Sequence, residues 1–385
     1  MAQLLLVRRA RQLLTLRGPK GCRRGPALHD LALIEDGSLL IRDGIIAQVG
    51  STRRLENLKE CGGAAEIDVD RAVVMPGFVD PSIQFSAFGP PPELKRLGPS
   101  AFREASVGLL RSCLLHGTLY AQVKAGKHHQ DVPSTLSALR QLANFENRPV
   151  GLVRTWQLKD AASALSAPSN EFAGAFSLLL ERKLAHRIEL TAEVSDETRA
   201  LARAQDLPIN LSWQGGCAKA LRDAMAALQP RMIGCPHLMS AAECDALAEY
   251  SAPVVFSPCR ALVGNECASS AVQLAQQGVA IALASGYDEH DIPVFNMQTA
   301  ISLAVLKLGL STEQAIVAAT ANAACALGLG HVTGTLEVGK RADLLVLDLS
   351  DYRELPRRFG SNHVVLAMRE GRVVYNRTAR KVSMP

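Results

Sequence analysis

The chain has 385 residues, of which 48% are hydrophobic and 21% charged, and its net charge is +5. At roughly 100–200 residues per domain, this length accommodates two or three domains, or one large barrel with an appendage. Such ordinary proportions exclude disorder, collagen and a disulfide scaffold, and no apolar run approaches the roughly 18 residues of a membrane-spanning helix.

Basic residues are scattered and aromatics reach only 4%, so neither nucleic acid nor a membrane is an expected partner. Nine cysteines without a CxxC pair point to reduced thiols and a cytoplasmic location. Residues 1–26 carry seven Arg and Lys and no acid, the charge pattern of a transit peptide. Leu4-Leu5-Leu6-Val7 is nevertheless too short for a secretory core, and it reads as a first β-strand.

The next elements are also β. Leu31-Ala32-Leu33-Ile34, Ser38-Leu39-Leu40-Ile41 and Ile45-Ile46-Ala47-Gln48-Val49 are separated by Glu35-Asp36-Gly37 and Arg42-Asp43-Gly44. Asp-Gly pairs tolerate the positive φ of tight turns, which predicts hairpins at both places. From about residue 73 to 335, short apolar runs alternate with Ala- and Leu-rich helical stretches. The expected strands are 77–80, 119–123, 150–153, 187–190, 208–211, 232–234, 254–256 and 279–283, with further helices after Pro293 packed outside. Eight βα units predict a parallel (β/α)8 TIM barrel. The tail returns to β at 342–347, 364–368 and 373–375. The expected architecture is α/β: a barrel over 73–335 and a small β-sandwich built from 1–72 and 336–385.

Several motifs carry a resemblance. Met75-Pro76-Gly77-Phe78-Val79-Asp80-Pro81 resembles the lead into the first barrel strand of the amidohydrolase superfamily. Thr320-Ala321-Asn322-Ala323-Ala324, Leu327-Gly328 and the run from Gly334 to Leu344 resemble its C-terminal signature. Tyr352-Arg353-Glu354-Leu355-Pro356, with Phe359 through Val364, is similar to imidazolonepropionases, the ring-opening hydrolases of histidine degradation. The resemblance spans nearly the whole chain. It implies a zinc or iron ion that acidifies a bound water and polarises a ring carbonyl. The ion would be held by an H-x-H pair on the first strand, a His on the fifth and an Asp on the eighth. Those positions here hold Ser82, Gln84, Ser212 and Gly286. None offers an imidazole or a carboxylate, so a metal of the family type is not expected and no other cofactor is implied.

The resemblance also implies site residues. Gln122 through Lys127 covers a family Glu, Lys and Tyr, of which Lys124 alone remains, and Gln214 replaces an acid. Trp156 and Trp213 fall near strand ends, where they would either fill the emptied pocket or pack in the core. His237, in Cys235-Pro236-His237-Leu238, keeps the position of a catalytic His. It forms a candidate base–nucleophile pair with Cys235, with Cys259 a potential neighbour; the alternative is a leftover His. His128-His129 and Asp288-Glu289-His290-Asp291 are ligand types on expected loops, where solvation is the default. The expected function is an imidazolonepropionase-like protein without the metal reaction. It would bind a small molecule, as a homodimer or paired with an active relative. The alternatives are a hydrolase of cyclic amides with a metal-free or relocated site, and an empty scaffold plugged by the two Trp residues.

Overall fold

The computed structural model describes the chain except residues 1–2, 86–97, 127–131, 145–147, 159–173, 175–176, 193–199, 201–206, 236–238, 263–269 and 378–385. The fold is mixed α/β and consists of two sheets with helices around the larger one.

The larger sheet is a parallel, TIM-like barrel. Its strands are β6 (Phe78–Gln84), β7 (Thr118–Ala125), β8 (Gly151–Leu158), β9 (Arg187–Thr191), β10 (Ile209–Ser212), β11 (Met232–Gly234), β12 (Val254–Phe256) and β13 (Ile281–Leu283). Each coincides with an expected strand. They neighbour one another in chain order. The short β14 (Tyr287–Asp288) follows β13 directly and pairs with β6, Tyr287 opposite Ile83 and Asp288 opposite Gln84, which brings the sheet round on itself. All eight residues of β7 are buried, as expected of strands covered on both faces. Helices form the outer layer. Ala218–Leu228 shows why: Leu221, Ala224, Met225 and Leu228 make one apolar stripe facing the strands. Most residues of the helices Met297–Leu306, Thr312–Ala319 and Ala321–Ala326 are buried. Among the described residues, no helix is long and apolar enough to cross a membrane.

Both chain ends build the second sheet. It contains β1 (Leu4–Leu14), β2 (Leu33–Arg42), β3 (Ile45–Ser51), β4 (Ala65–Asp68) and β5 (Val73–Pro76) from one end. β15 (Leu344–Leu347), β16 (Val364–Arg369) and β17 (Arg372–Asn376) come from the other. β5 lies between β1 and β15, so Val74 meets Leu13 on one side and Val346 on the other. Val7, Leu39, Ile41, Leu344, Leu366 and Met368 share one core.

Two expectations change. The Asp43-Gly44 turn is present, with positive φ at both residues and Arg42 paired to Ile45, the geometry of a type I′ hairpin. Asp36-Gly37 instead lies inside the continuous strand β2. Asp36 has φ +47, Gly37 pairs with Ala10, and β1 slips register between Val7 and Ala10. A Cβ on Gly37 would strike that of Leu13 at 2.4 Å, so the glycine serves a bulge and the close approach of β1. Second, Cys22 and Cys325 form a disulfide with Cα atoms 5.5 Å apart. All-reduced thiols were expected, so cysteine usage no longer argues for a reducing compartment. Beside the disulfide, Asn322 Oδ1 accepts from the Arg23 backbone N–H at 2.7 Å. Its amide donates to the carbonyls of Arg23 and Ile281, at 3.0 and 2.8 Å.

Candidate functional site at the barrel mouth

A parallel barrel concentrates chemistry where its strands end, and a cavity of about 190 Å³ opens there. Side chains alternate along a strand, and the positions of β6 to β10 that line this cavity are polar. They are Ser82 and Gln84 on β6, Lys124 on β7, Gln157 on β8, Glu189 on β9 and Ser212 on β10. The parallel register sets Lys124 beside Gln84 and Glu189 beside Gln157.

One ion pair organises the interior. Lys124 Nζ lies 2.7 Å from Glu189 Oε2, with side chains 10% and 2% exposed. Gln157 Nε2 donates to the other carboxylate oxygen at 2.9 Å. The Gln84 amide donates to the Lys124 carbonyl at 3.2 Å, and Gln214 donates to the Ser212 hydroxyl at 2.7 Å. Arg260 stands at the rim, 3.2 Å from Asp291. Below Ser82 on the same face of β6, Asp80 is fully buried. It accepts from the backbone N–H groups of Ser285 (3.1 Å) and Ser82 (3.2 Å) and from the Ser285 hydroxyl (2.5 Å). Burial pushes its pKa up to about 6, with these hydrogen bonds and Lys124 pulling the other way.

The positions read from sequence as lost metal ligands, Ser82, Gln84, Ser212 and Gly286, all line this one cavity. Together they offer two hydroxyls, a carboxamide and no side chain at the fourth place. Zinc and iron sites draw on imidazole, thiolate and carboxylate, so this donor set does not fit such an ion. The fourth position is also occupied by a neighbour. Gly286 has φ +69, and a Cβ there would come within 1.9 Å of Ser257 Oγ, whose hydroxyl donates to the Ser285 carbonyl at 2.8 Å. Among the described residues, no group of three or more His, Cys, Asp or Glu side chains is placed to hold a metal.

Lys124, Gln214 and Cys235 also line the cavity, but Trp156 and Trp213 do not. Alternation on β8 turns Gln157 inward and Trp156 to the opposite side. Trp213 Nε1 donates at 2.7 Å to Glu243 Oε1, on the outer helix Ala241–Ala248. The indole of Trp213 therefore packs between strand and helix rather than plugging the mouth. Cys259 is buried, and burial pushes its thiol up to about 12, away from a reactive thiolate. Asp288, expected in solvent, is 2% exposed on β14 and lines the cavity. His237, His128 and His129 lie outside the described residues. Sequence reasoning missed Glu189, Gln157 and Arg260. A signal existed for the first, since a carboxylate within a buried strand is rare without a partner.

The amidohydrolase family profile matches residues 234–374. The chain therefore resembles amidohydrolases. It is similar to the imidazolonepropionase of Symbiobacterium thermophilum, with 28% identity over 96% of this chain and 97% of the relative. Similarity to that of Bacillus cytotoxicus is also 28%, over 95% of each. Among solved structures of this amidohydrolase-like fold, a triazine hydrolase variant gives a TM-score of 0.75 at 15% identity, over 97% of this chain and 95% of the other. A zinc-bound adenosine deaminase from Xanthomonas campestris gives 0.70 at 18%, over 97% and 93%.

Proposed function

We propose that this chain is an imidazolonepropionase-like member of the amidohydrolase family without the family's metal-dependent reaction, and that its barrel mouth binds a small polar molecule. One observation carries the reading: the four expected ligand positions converge on a single cavity and are all occupied by neutral residues. Lys124, Glu189, Gln157 and Gln214 keep that cavity polar. Buried polar groups of this kind fix a ligand's orientation through hydrogen bonds.

Elemental analysis of chelator-free protein tests the proposal. Zinc and iron far below stoichiometry are expected; about one equivalent per chain, as in a filled catalytic site, overturns it. A second reading is a hydrolase of cyclic amide C–N bonds that works without the family ion. It draws on Cys235, which lines the cavity two residues before His237. Turnover of a lactam, imidazolone or hydantoin, abolished by His237→Ala, would favour it. We also read the terminal sheet as the β-sandwich of residues 1–72 and 336–385, and the chain as a homodimer or the partner of an active relative.

A further inference from the structure

A second cavity, of about 460 Å³, lies at the opposite end of the barrel, where β7 and β8 begin. Three guanidiniums line it: Arg148 ahead of β8, Arg341 ahead of β15 and Arg369 at the end of β16. The barrel and the terminal sheet thus both supply cations. Gly151 lets the Tyr120 ring lie against β8, since a Cβ there would meet it at 2.4 Å. Arg341 Nη1 donates to the Tyr120 hydroxyl at 3.2 Å and to Glu370 Oε1 at 2.8 Å. Arg369 Nη1 donates to the Pro149 carbonyl at 2.9 Å, and Arg148 Nη2 to that of Ala143 at 3.0 Å. The Nε and Nη2 groups of Arg341 and Arg369 have no partner among the described residues. Glu370 is the one carboxylate among the described lining residues. Asp343 is buried nearby and accepts from the Glu370 backbone N–H at 2.7 Å.

The same rim holds further positive charge. Arg154 and Arg187 are buried, and their hydrogen bonds go to neutral acceptors: the Leu184 and Lys183 carbonyls for the first, Asn210 Oδ1 for the second. Burial holds Arg154 and Arg187 down at about 10, and like charge from Arg148 and Arg231 adds to it. His186 is driven down to about 4 by burial, then by Arg154, Arg148 and Arg187. Cations set this close together repel one another, and a bound anion would relieve them.

We propose that this basal cavity binds a small multivalent oxyanion, a phosphate ester or a polycarboxylate, through Arg148, Arg341 and Arg369. Guanidinium forks match both kinds of oxyanion.

The test is thermal denaturation and calorimetric titration of the full chain with pyrophosphate and with citrate, against sodium chloride at equal ionic strength. Saturable stabilisation by one probe beyond the chloride control is expected, and the preferred probe separates phosphate from carboxylate. Arg148→Gln with Arg369→Gln should weaken binding about tenfold or more, the loss expected of charge-assisted contacts. Arg222→Gln, which breaks an exposed pair elsewhere, should leave it unchanged. Glu370→Gln removes the carboxylate and should tighten binding several-fold. It also decides the matter should the double variant fail to fold. No saturable binding of either probe, or binding indifferent to Glu370→Gln, overturns the proposal.

Discussion

Asp80 holds its proton in the folded chain up to about pH 6, against an ordinary value of 3.8. Between those values the folded state binds more protons than the unfolded one, so stability falls as pH rises. The favourable contribution is whole below about pH 4 and is lost as pH passes 6. His186 has the opposite sign. Its folded pKa near 4 lies below the ordinary 6.5, so its contribution is present above 6.5 and lost as pH falls through 4. Asp80→Asn keeps an acceptor for the Ser285 N–H and removes one titration. Urea unfolding of both proteins from pH 4 to 7 should show wild type losing up to about 3 kcal/mol relative to the variant, with His186 cancelling in the difference. A difference flat with pH would refute the assignment. The Lys124–Glu189 pair makes a second prediction. Lys124→Met strands a carboxylate whose side chain is 2% exposed and should cost about 3–5 kcal/mol. Adding Glu189→Gln should recover most of that loss. Additive losses in this double-mutant cycle would show that the two side chains do not depend on each other.

At the scale of elements, Trp213 couples the end of β10 to the start of the helix Ala241–Ala248. Its indole N–H reaches Glu243 Oε1, while Glu243 Oε2 closes a capping box with Ser240. Trp213→Phe should cost about 1–3 kcal/mol by removing a hydrogen bond to a buried carboxylate. Glu243→Gln should be milder, because a carboxamide keeps an acceptor for the indole; guanidinium melts of both would check the order. The barrel strands were legible in the sequence because a strand covered on both faces is a short apolar run between helical stretches. The facing of residues at strand ends was not. A one-residue step separates Trp156 from Gln157, and alternation sends them to opposite sides. Asp36-Gly37 misled for a related reason: positive φ serves a bulge as well as a hairpin, and only the pairing of Gly37 with Ala10 tells them apart. That Ser82, Gln84, Ser212 and Gly286 would face one cavity was legible because their places after recognisable strands fix them. The Lys124–Glu189 pair joins strands far apart in sequence and needed the folded register.

For the whole molecule, the Cys22–Cys325 link closes a loop across a sequence separation of 303 residues. Cross-links of this kind typically contribute about 2–4 kcal/mol. Dithiothreitol should therefore lower the denaturation midpoint of wild type and leave Cys22→Ser with Cys325→Ser unmoved. Equal midpoints in wild type with and without reductant would show that the bond does not form or does not matter. The terminal sheet has a consequence for biosynthesis. β5 acquires its neighbour β15 only after the whole barrel has been translated. At about 5–20 residues per second, a nascent chain waits on the order of a quarter of a minute to a minute with that apolar edge uncovered. The ribosome-bound intermediate is therefore where a holdase chaperone would find this protein, and slowing elongation should aggravate its aggregation.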